Sequence, residues 1–126
     1  MTKSVIVIGA GIVGLACARE LSKKGHEVFI AEQESYIATQ TSSRNSGVIH
    51  AGIYYPPNSL KAKLCTRGKQ LLYEYCEGFN VPFSRTQKMI VATTSEEKEV
   101  LQNLKDKAKK NGVDLELISG QDAIDR

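Results

Sequence analysis

With 126 residues, the chain has room for one domain of modest size. Its 17 basic and 14 acidic residues leave a formal charge of +3 spread along its length, which argues against nucleic acid as a partner, since that would call for a basic stripe with aromatic or helical readout elements. No run approaches the roughly 20 apolar residues of a transmembrane helix, and no secretory signal pattern precedes the first apolar segment.

Val5-Ile6-Val7-Ile8 reads as an apolar strand, and Gly9-Ala10-Gly11-Ile12-Val13-Gly14 follows at once. Each glycine there has its own physical reason. Gly9 lets the chain turn off the strand, Gly11 lets a diphosphate approach without meeting a Cβ, and Gly14 lets the next helix pack closely on the sheet. The unpaired amides and positive dipole end of that helix then hold the phosphates, so no lysine is needed. The missing Gly-Lys-Ser/Thr ending argues against a nucleoside-triphosphate loop.

The helix carries Val13, Leu15, Ala16, Ala18 and Leu21 and stops at Lys23-Lys24-Gly25. Glu27 to Ala31 reads as a second, buried parallel strand, with Glu32 at its carboxyl end. A carboxylate there accepts hydrogen bonds from both ribose hydroxyls and repels a 2′-phosphate, which disfavours NADP. NAD and FAD share the same ADP half, so the unit alone leaves them undecided. The plain alternative is a glycine-rich turn with Glu32 in solvent and no ligand. His26, between helix stop and strand, reads as a surface residue.

From Thr39 to Pro57 runs a stretch dense in hydroxyls and glycine, without helical or alternating period. Such a segment in a small domain is expected to bind something. Its Ser43-Arg44-Asn45-Ser46-Gly47-Val48-Ile49-His50-Ala51-Gly52-Ile53-Tyr54-Tyr55 run, with the dinucleotide unit before it and Ser59-Leu60-Lys61-Ala62-Lys63-Leu64-Cys65 after it, resembles the N-terminal part of the L-2-hydroxyglutarate dehydrogenase family. Those enzymes are FAD-dependent oxidoreductases of the D-amino-acid oxidase type.

The resemblance implies FAD rather than NAD, and a small 2-hydroxy acid as substrate. The reaction it implies is L-2-hydroxyglutarate going to 2-oxoglutarate, with hydride passing to flavin N5. It also places the Ser42 to Gly52 loop near the flavin ring. The candidate cofactor contacts are Gly9, Gly11, Ile12, Val13, Gly14, Glu32, Gln33, Thr41, Ser42, Ser43, Asn45, Ser46, Gly47, Val48 and His50. Ser46, Gly47, Ala51 and Gly52 are small enough for backbone to approach a flat ring, and Ser42, Ser43 and Asn45 carry side-chain donors.

His50 is the candidate catalytic base, because a 2-hydroxy acid must lose a hydroxyl proton and imidazole titrates in the right range. A cofactor or structural contact is its other role. Arg44 has the donor fork for a carboxylate or phosphate, or pairs with a local carboxylate. Tyr54 and Tyr55 either cap a substrate pocket or sit half-buried as packing.

Pro57-Asn58-Ser59 predicts a helix entrance, with Leu60, Leu64, Leu71, Leu72, Tyr75, Cys76 and Phe79 forming a packing stripe to about Asn80. Lys61, Lys63, Arg67 and Lys69 project around its other faces. Lys88 to Ala92 reads as a strand, and Thr94-Ser95-Glu96-Glu97 as a capping box. The next helix is expected to bury Val100, Leu101, Leu104 and Ala108 and to end near Asn111-Gly112, with Lys105, Lys107, Lys109 and Lys110 as a solvated face. Leu115 to Ile118 reads as a strand and Ser119 as the cap of a helix barely begun. Cys17, Cys65 and Cys76 lack zinc or disulfide spacing and read as free, small buried thiols in a reducing compartment, cytoplasmic with room for docking on a membrane surface.

The expected fold is therefore α/β: a truncated Rossmann-like FAD-binding domain with a parallel βαβ unit (1–80), then the start of a mixed α+β substrate domain (81–126). A complete doubly wound sheet has about six strands, so two strands are expected to need self-association, a partner chain or further sequence. Two alternatives stay open. One is an FAD-dependent amino-acid or glycerol-3-phosphate oxidoreductase; the other is a non-catalytic dinucleotide-binding fragment.

Overall fold

β-Branched residues fill the first strand, β1 (Ser4–Ile8), of the computed structural model, which describes residues 1–125. Helix α1 (Ile12–Lys23) and strand β2 (Glu27–Ala31) complete a βαβ unit, with β2 parallel to β1 in the register Ser4 opposite Glu27 through Ile8 opposite Ala31. The stop of α1 is a Schellman motif: the Gly25 amide donates to the Ser22 carbonyl at 2.9 Å and the His26 amide to the Leu21 carbonyl at 3.2 Å. His26 is half-buried rather than free at the surface, because its Nδ1 accepts the Lys3 amide.

The chain divides into two compact units, Met1–Val48 and Ile49–Arg126. In the first, Ala10 and Ala18 are the buried residues. One sheet face, with Val5, Val7 and Val28, is partly covered. The other is bare: Ile6 is 68% and Ile8 89% exposed, and Phe29 is exposed beside them. The expectation of a buried β2 is thus not met. Among the described residues the sheet has two strands, so each of them is an edge strand.

The second unit holds α2 (Leu60–Gly78), α3 (Ser95–Lys110) and the short α4 (Gly120–Ile124). All three N-caps read from sequence are made. Ser59 accepts the Ala62 amide, and the Thr94–Glu97 and Ser119–Asp122 pairs each form a reciprocal capping box. The core is small: Ile53, Ala108 and Val113 are buried, with Ala51, Ile90, Leu104 and Leu115 packed around them.

Three expectations fail. Residues 88–92 and 115–118 form no strand, because a strand requires a ladder partner and these segments find none among the described residues. Ile90 and Leu115 instead use their apolar side chains on the core cluster. The leucine stripe of α2 is uncovered, with Leu60 75% exposed and Leu64, Leu71 and Phe79 exposed with it, and Val100 of α3 is exposed likewise. The thiols are free, yet only Cys76 is buried and Cys17 is exposed. Among the described residues no helix is long and apolar enough to cross a membrane.

Candidate functional site

The glycine turn has the shape a diphosphate needs. Gly9 adopts φ +95°, a conformation that L side chains resist, and its amide donates to the Ala31 carbonyl at 2.7 Å, extending the β ladder into the turn. A Cβ on Gly14 would stand 2.0 Å from the Gly9 carbonyl oxygen and 3.5 Å from a Val7 methyl. Gly14 is therefore what lets α1 start against the end of β1.

Gly11 is the N-cap of α1 and supplies no side-chain acceptor of its own. The first-turn amides of a helix have no partner within the helix. One of them, on Ile12, donates to Ser42 Oγ at 2.9 Å. A Cβ on Gly11 would meet that same hydroxyl at 3.2 Å. A hydroxyl thus stands where a phosphate oxygen would be received, and the Val13 and Gly14 amides and the dipole remain for an anion. No acidic residue in the first turn opposes a negative ligand. These features fit the diphosphate of an adenine dinucleotide.

Glu32 does more than wait for a ribose. One carboxylate oxygen accepts the Ala10 amide at 2.6 Å and the other the Glu34 amide at 3.0 Å. The Glu34 amide, then the Ala10 amide, hold its carboxyl below the ordinary carboxylate range. Each oxygen keeps a second lone pair, so hydroxyl donors are still accommodated. Gln33 beside it is exposed.

The loop after β2 is organised by its own hydrogen bonds. Thr41–Ser43 forms one 3-10 turn. Ser43 Oγ donates to the carbonyls of Thr39 and Gln40, at 3.0 Å each. Asn45 Nδ2 donates to the Ser42 carbonyl, and Asn45 Oδ1 accepts the Gly47 amide, each at 2.8 Å. Ser42 is half-buried, whereas Thr41, Ser43, Asn45, Ser46, Gly47 and Val48 are exposed. Arg44 forms no ion pair among the described residues.

In the second unit, His50 Nδ1 hydrogen-bonds the Tyr55 hydroxyl, with the two rings within 7° of coplanar. The Lys61 ammonium lies 4.7 Å from the Tyr55 ring centroid, and that of Lys88 4.9 Å from the Tyr54 ring. Burial and the neighbouring Cys65 thiol push the Tyr55 hydroxyl pKa up, so it keeps its proton. Asn111 Nδ2 donates to the carbonyls of Gly52, at 3.0 Å, and Tyr55, at 2.9 Å. Its Oδ1 is buried without a partner.

Sequence reasoning placed Asn111 only at a helix stop, and it is indeed the C-cap of α3. Nothing local in the sequence links it to a turn 56 or 59 residues earlier. The Ser42 hydroxyl on α1 and the Glu32 carboxylate on Ala10 were missed for the same reason, spanning 30 and 22 residues.

A family model described as FAD dependent oxidoreductase matches residues 4–126. The chain is 62% identical over 92 residues to a mitochondrial L-2-hydroxyglutarate dehydrogenase of Arabidopsis thaliana, covering 73% of this chain and 19% of that protein. It is 46% identical over 121 residues to the human protein of the same name, covering 94% of this chain and 26% of that one. Among solved structures it resembles the dithionite-reduced L-alpha-glycerophosphate oxidase of Mycoplasma pneumoniae with FAD bound. There the TM-score is 0.72 and the identity 37%, over 91% of this chain and 30% of the oxidase. The chain thus spans 19% to 30% of the length of these three proteins.

Proposed function

Because this chain belongs to the FAD dependent oxidoreductase family, we propose that it carries the dinucleotide-binding turn of an enzyme that oxidises L-2-hydroxyglutarate to 2-oxoglutarate. The observation that carries this is the 62% identity to a dehydrogenase named for that substrate. The glycine turn supplies the physical side of the case, since its free amides suit a diphosphate.

In this proposal the α1 first turn with Gly9, Gly11, Ile12, Val13 and Gly14 binds the diphosphate, and Glu32 with Gln33 takes the ribose. The loop of Thr41, Ser42, Ser43, Asn45, Ser46, Gly47 and Val48 approaches the rest of the cofactor. FAD, when bound, supplies the acceptor for the hydride that leaves C2 of the substrate. His50 Nε2 takes the hydroxyl proton as that hydride departs. Residues 1–80 then open the cofactor domain and 81–126 the substrate domain. The free thiols suit a reducing compartment; that is the cytoplasm or, as their names state for the two relatives, the mitochondrion.

The FAD-bound glycerophosphate oxidase favours a second substrate class, glycerol 3-phosphate, on the same scaffold. Anaerobic addition of each compound to the yellow holoprotein separates them. Bleaching of the flavin band by L-2-hydroxyglutarate and not by glycerol 3-phosphate is expected, and a flavin left oxidised by L-2-hydroxyglutarate rejects the substrate.

A further inference from the structure

We propose that Lys61 selects for a dicarboxylate: its ammonium pairs with the substrate carboxylate farthest from the hydroxyl that faces His50. This deepens the reading of L-2-hydroxyglutarate as substrate, and it rests on that reading for the hydroxyl at His50.

Tyr55 is the joint between the two groups. Its hydroxyl is hydrogen-bonded to His50 Nδ1 with the rings nearly coplanar, and its ring face carries the Lys61 ammonium. The imidazole centre lies 6.3 Å and the ammonium 4.7 Å from the centre of that one phenol ring, so the two stand at most about 11 Å apart. A hydrogen bond of about 3 Å at each end leaves the ligand a span of up to roughly 5 Å between hydroxyl and carboxylate. The three carbon–carbon bonds from C2 to C5 of 2-hydroxyglutarate, each about 1.5 Å, cover that span. A 2-hydroxy acid without a second carboxylate has nothing to place there.

Lys61 is exposed and forms no ion pair among the described residues. The phenol ring takes one side of its ammonium, and the N–H donors on the other side stay available. Lys61 also stands in the first turn of α2, where the positive end of the helix dipole disfavours a cation and no acidic side chain offsets it. The helix gains nothing from this charge, whereas an arriving carboxylate does. Lys88 repeats the arrangement on the adjacent Tyr54, 4.9 Å from its ring, and it too lies outside every ion pair among the described residues.

Both sides of the joint are held. Asn111 Nδ2 donates to the Gly52 and Tyr55 carbonyls. Gly52, at φ +93°, lies so close to α2 that a Cβ would meet a Thr66 methyl at 2.7 Å. The end of α2 that carries Lys61 is capped by Ser59, and Ala62 beside it is buried. The turn and the helix are thus fixed against each other, and the lysine stem has only to reach the ring.

The test gives the FAD-loaded holoprotein two substrates that differ by one carboxylate. Lys61→Met should lower kcat/KM for L-2-hydroxyglutarate by about 10- to 100-fold, chiefly through KM, the worth of one hydrogen bond to a charged group. L-2-hydroxybutyrate, which lacks the second carboxylate, should be oxidised as by the wild type. Lys61→Arg keeps a cation and should recover most of the loss; Lys63→Met, the same charge loss on another face of α2, should leave both substrates unaffected. Equal losses for the two substrates, as a merely structural role would give, or no loss for L-2-hydroxyglutarate, overturn the proposal. Calorimetric titration with glutarate, which has both carboxylates and no reacting hydroxyl, separates this inference from the substrate reading. A wild-type flavin left oxidised by L-2-hydroxyglutarate rejects that reading alone. Glutarate should still bind the wild type and bind Lys61→Met about 10- to 100-fold more weakly; equal binding, or none in the wild type, overturns the role of Lys61.

Discussion

Gly11 and Gly14 stand three residues apart, yet the structure assigns them different penalties. At Gly14 a Cβ falls 2.0 Å from the Gly9 carbonyl oxygen, more than an ångström inside van der Waals contact, and the obstacle is backbone. Gly14→Ala must push α1 off the end of β1, an overpacking cost of about 1–3 kcal/mol. At Gly11 the backbone sits at φ −74°, open to any residue, and the nearest obstacle is the Ser42 hydroxyl at 3.2 Å. Gly11→Val loses on the order of 0.5–1 kcal/mol at the cap, where valine ranks well below glycine. It regains about 0.4–1 kcal/mol by restricting the unfolded chain, so fold stability is nearly unchanged. Its isopropyl group does project into the space before the free amides, and a loss of about 100-fold in FAD affinity, or ~2.7 kcal/mol, is expected. Thermal melts must be run without cofactor, because bound FAD adds stability by mass action, and FAD titration by flavin fluorescence gives the affinity. Gly11→Val binding FAD like the wild type, or melting as early as Gly14→Ala, refutes the placement of the diphosphate.

Glu32 makes stability depend on acid. Its folded-state pKa is lowered by the Glu34 and Ala10 amides, so the stability it contributes is present above the unfolded carboxylate pKa of about 4.3 and is lost as pH falls through the lower folded value. Melting temperatures of the wild type should therefore decline more steeply below about pH 4 than those of Glu32→Gln; parallel curves would count against the two backbone bonds. Thr94→Ala removes one half of the α3 capping box and should cost about 1 kcal/mol in urea unfolding, with FAD affinity unchanged. Residues 1–126 purified alone should show no L-2-hydroxyglutarate oxidation, and measurable turnover by that material would place the whole active site within them.

What the sequence made legible was local. The β1-turn-α1-β2 unit emerges because strand and helix periods flank glycines with separate steric duties. The caps at Ser59, Thr94 and Ser119 emerge because a cap reaches only two or three residues along the chain. Apolar runs were a poorer guide. Lys88 to Ala92 and Leu115 to Ile118 have strand composition, but a strand is a relation between two segments, and the partner is not written in either. The α2 leucine stripe likewise marks what can be buried, not what is buried. In the site, the residue types of the turn and loop were readable, whereas the bonds that hold them cross from 22 to 59 residues and became visible only once folded.

Those long-range bonds change how the turn is understood. Two side chains reach it: Glu32 pins the Ala10 amide and Ser42 satisfies the Ile12 amide. Both are polar groups that the cofactor reading also assigns to the ligand, so the turn is shaped before any diphosphate arrives. A bare helix N-terminus would leave its amides to water and its loop free to collapse. With Ser42 in place, one amide is kept oriented by a neutral hydroxyl that a charged phosphate oxygen can displace, because charge-assisted hydrogen bonds are roughly twice as strong as neutral ones. The displaced hydroxyl then has its own proton to give to the same phosphate. In the exchange we propose, the Ile12 amide passes from one acceptor to another while Glu32 stays bonded at Ala10.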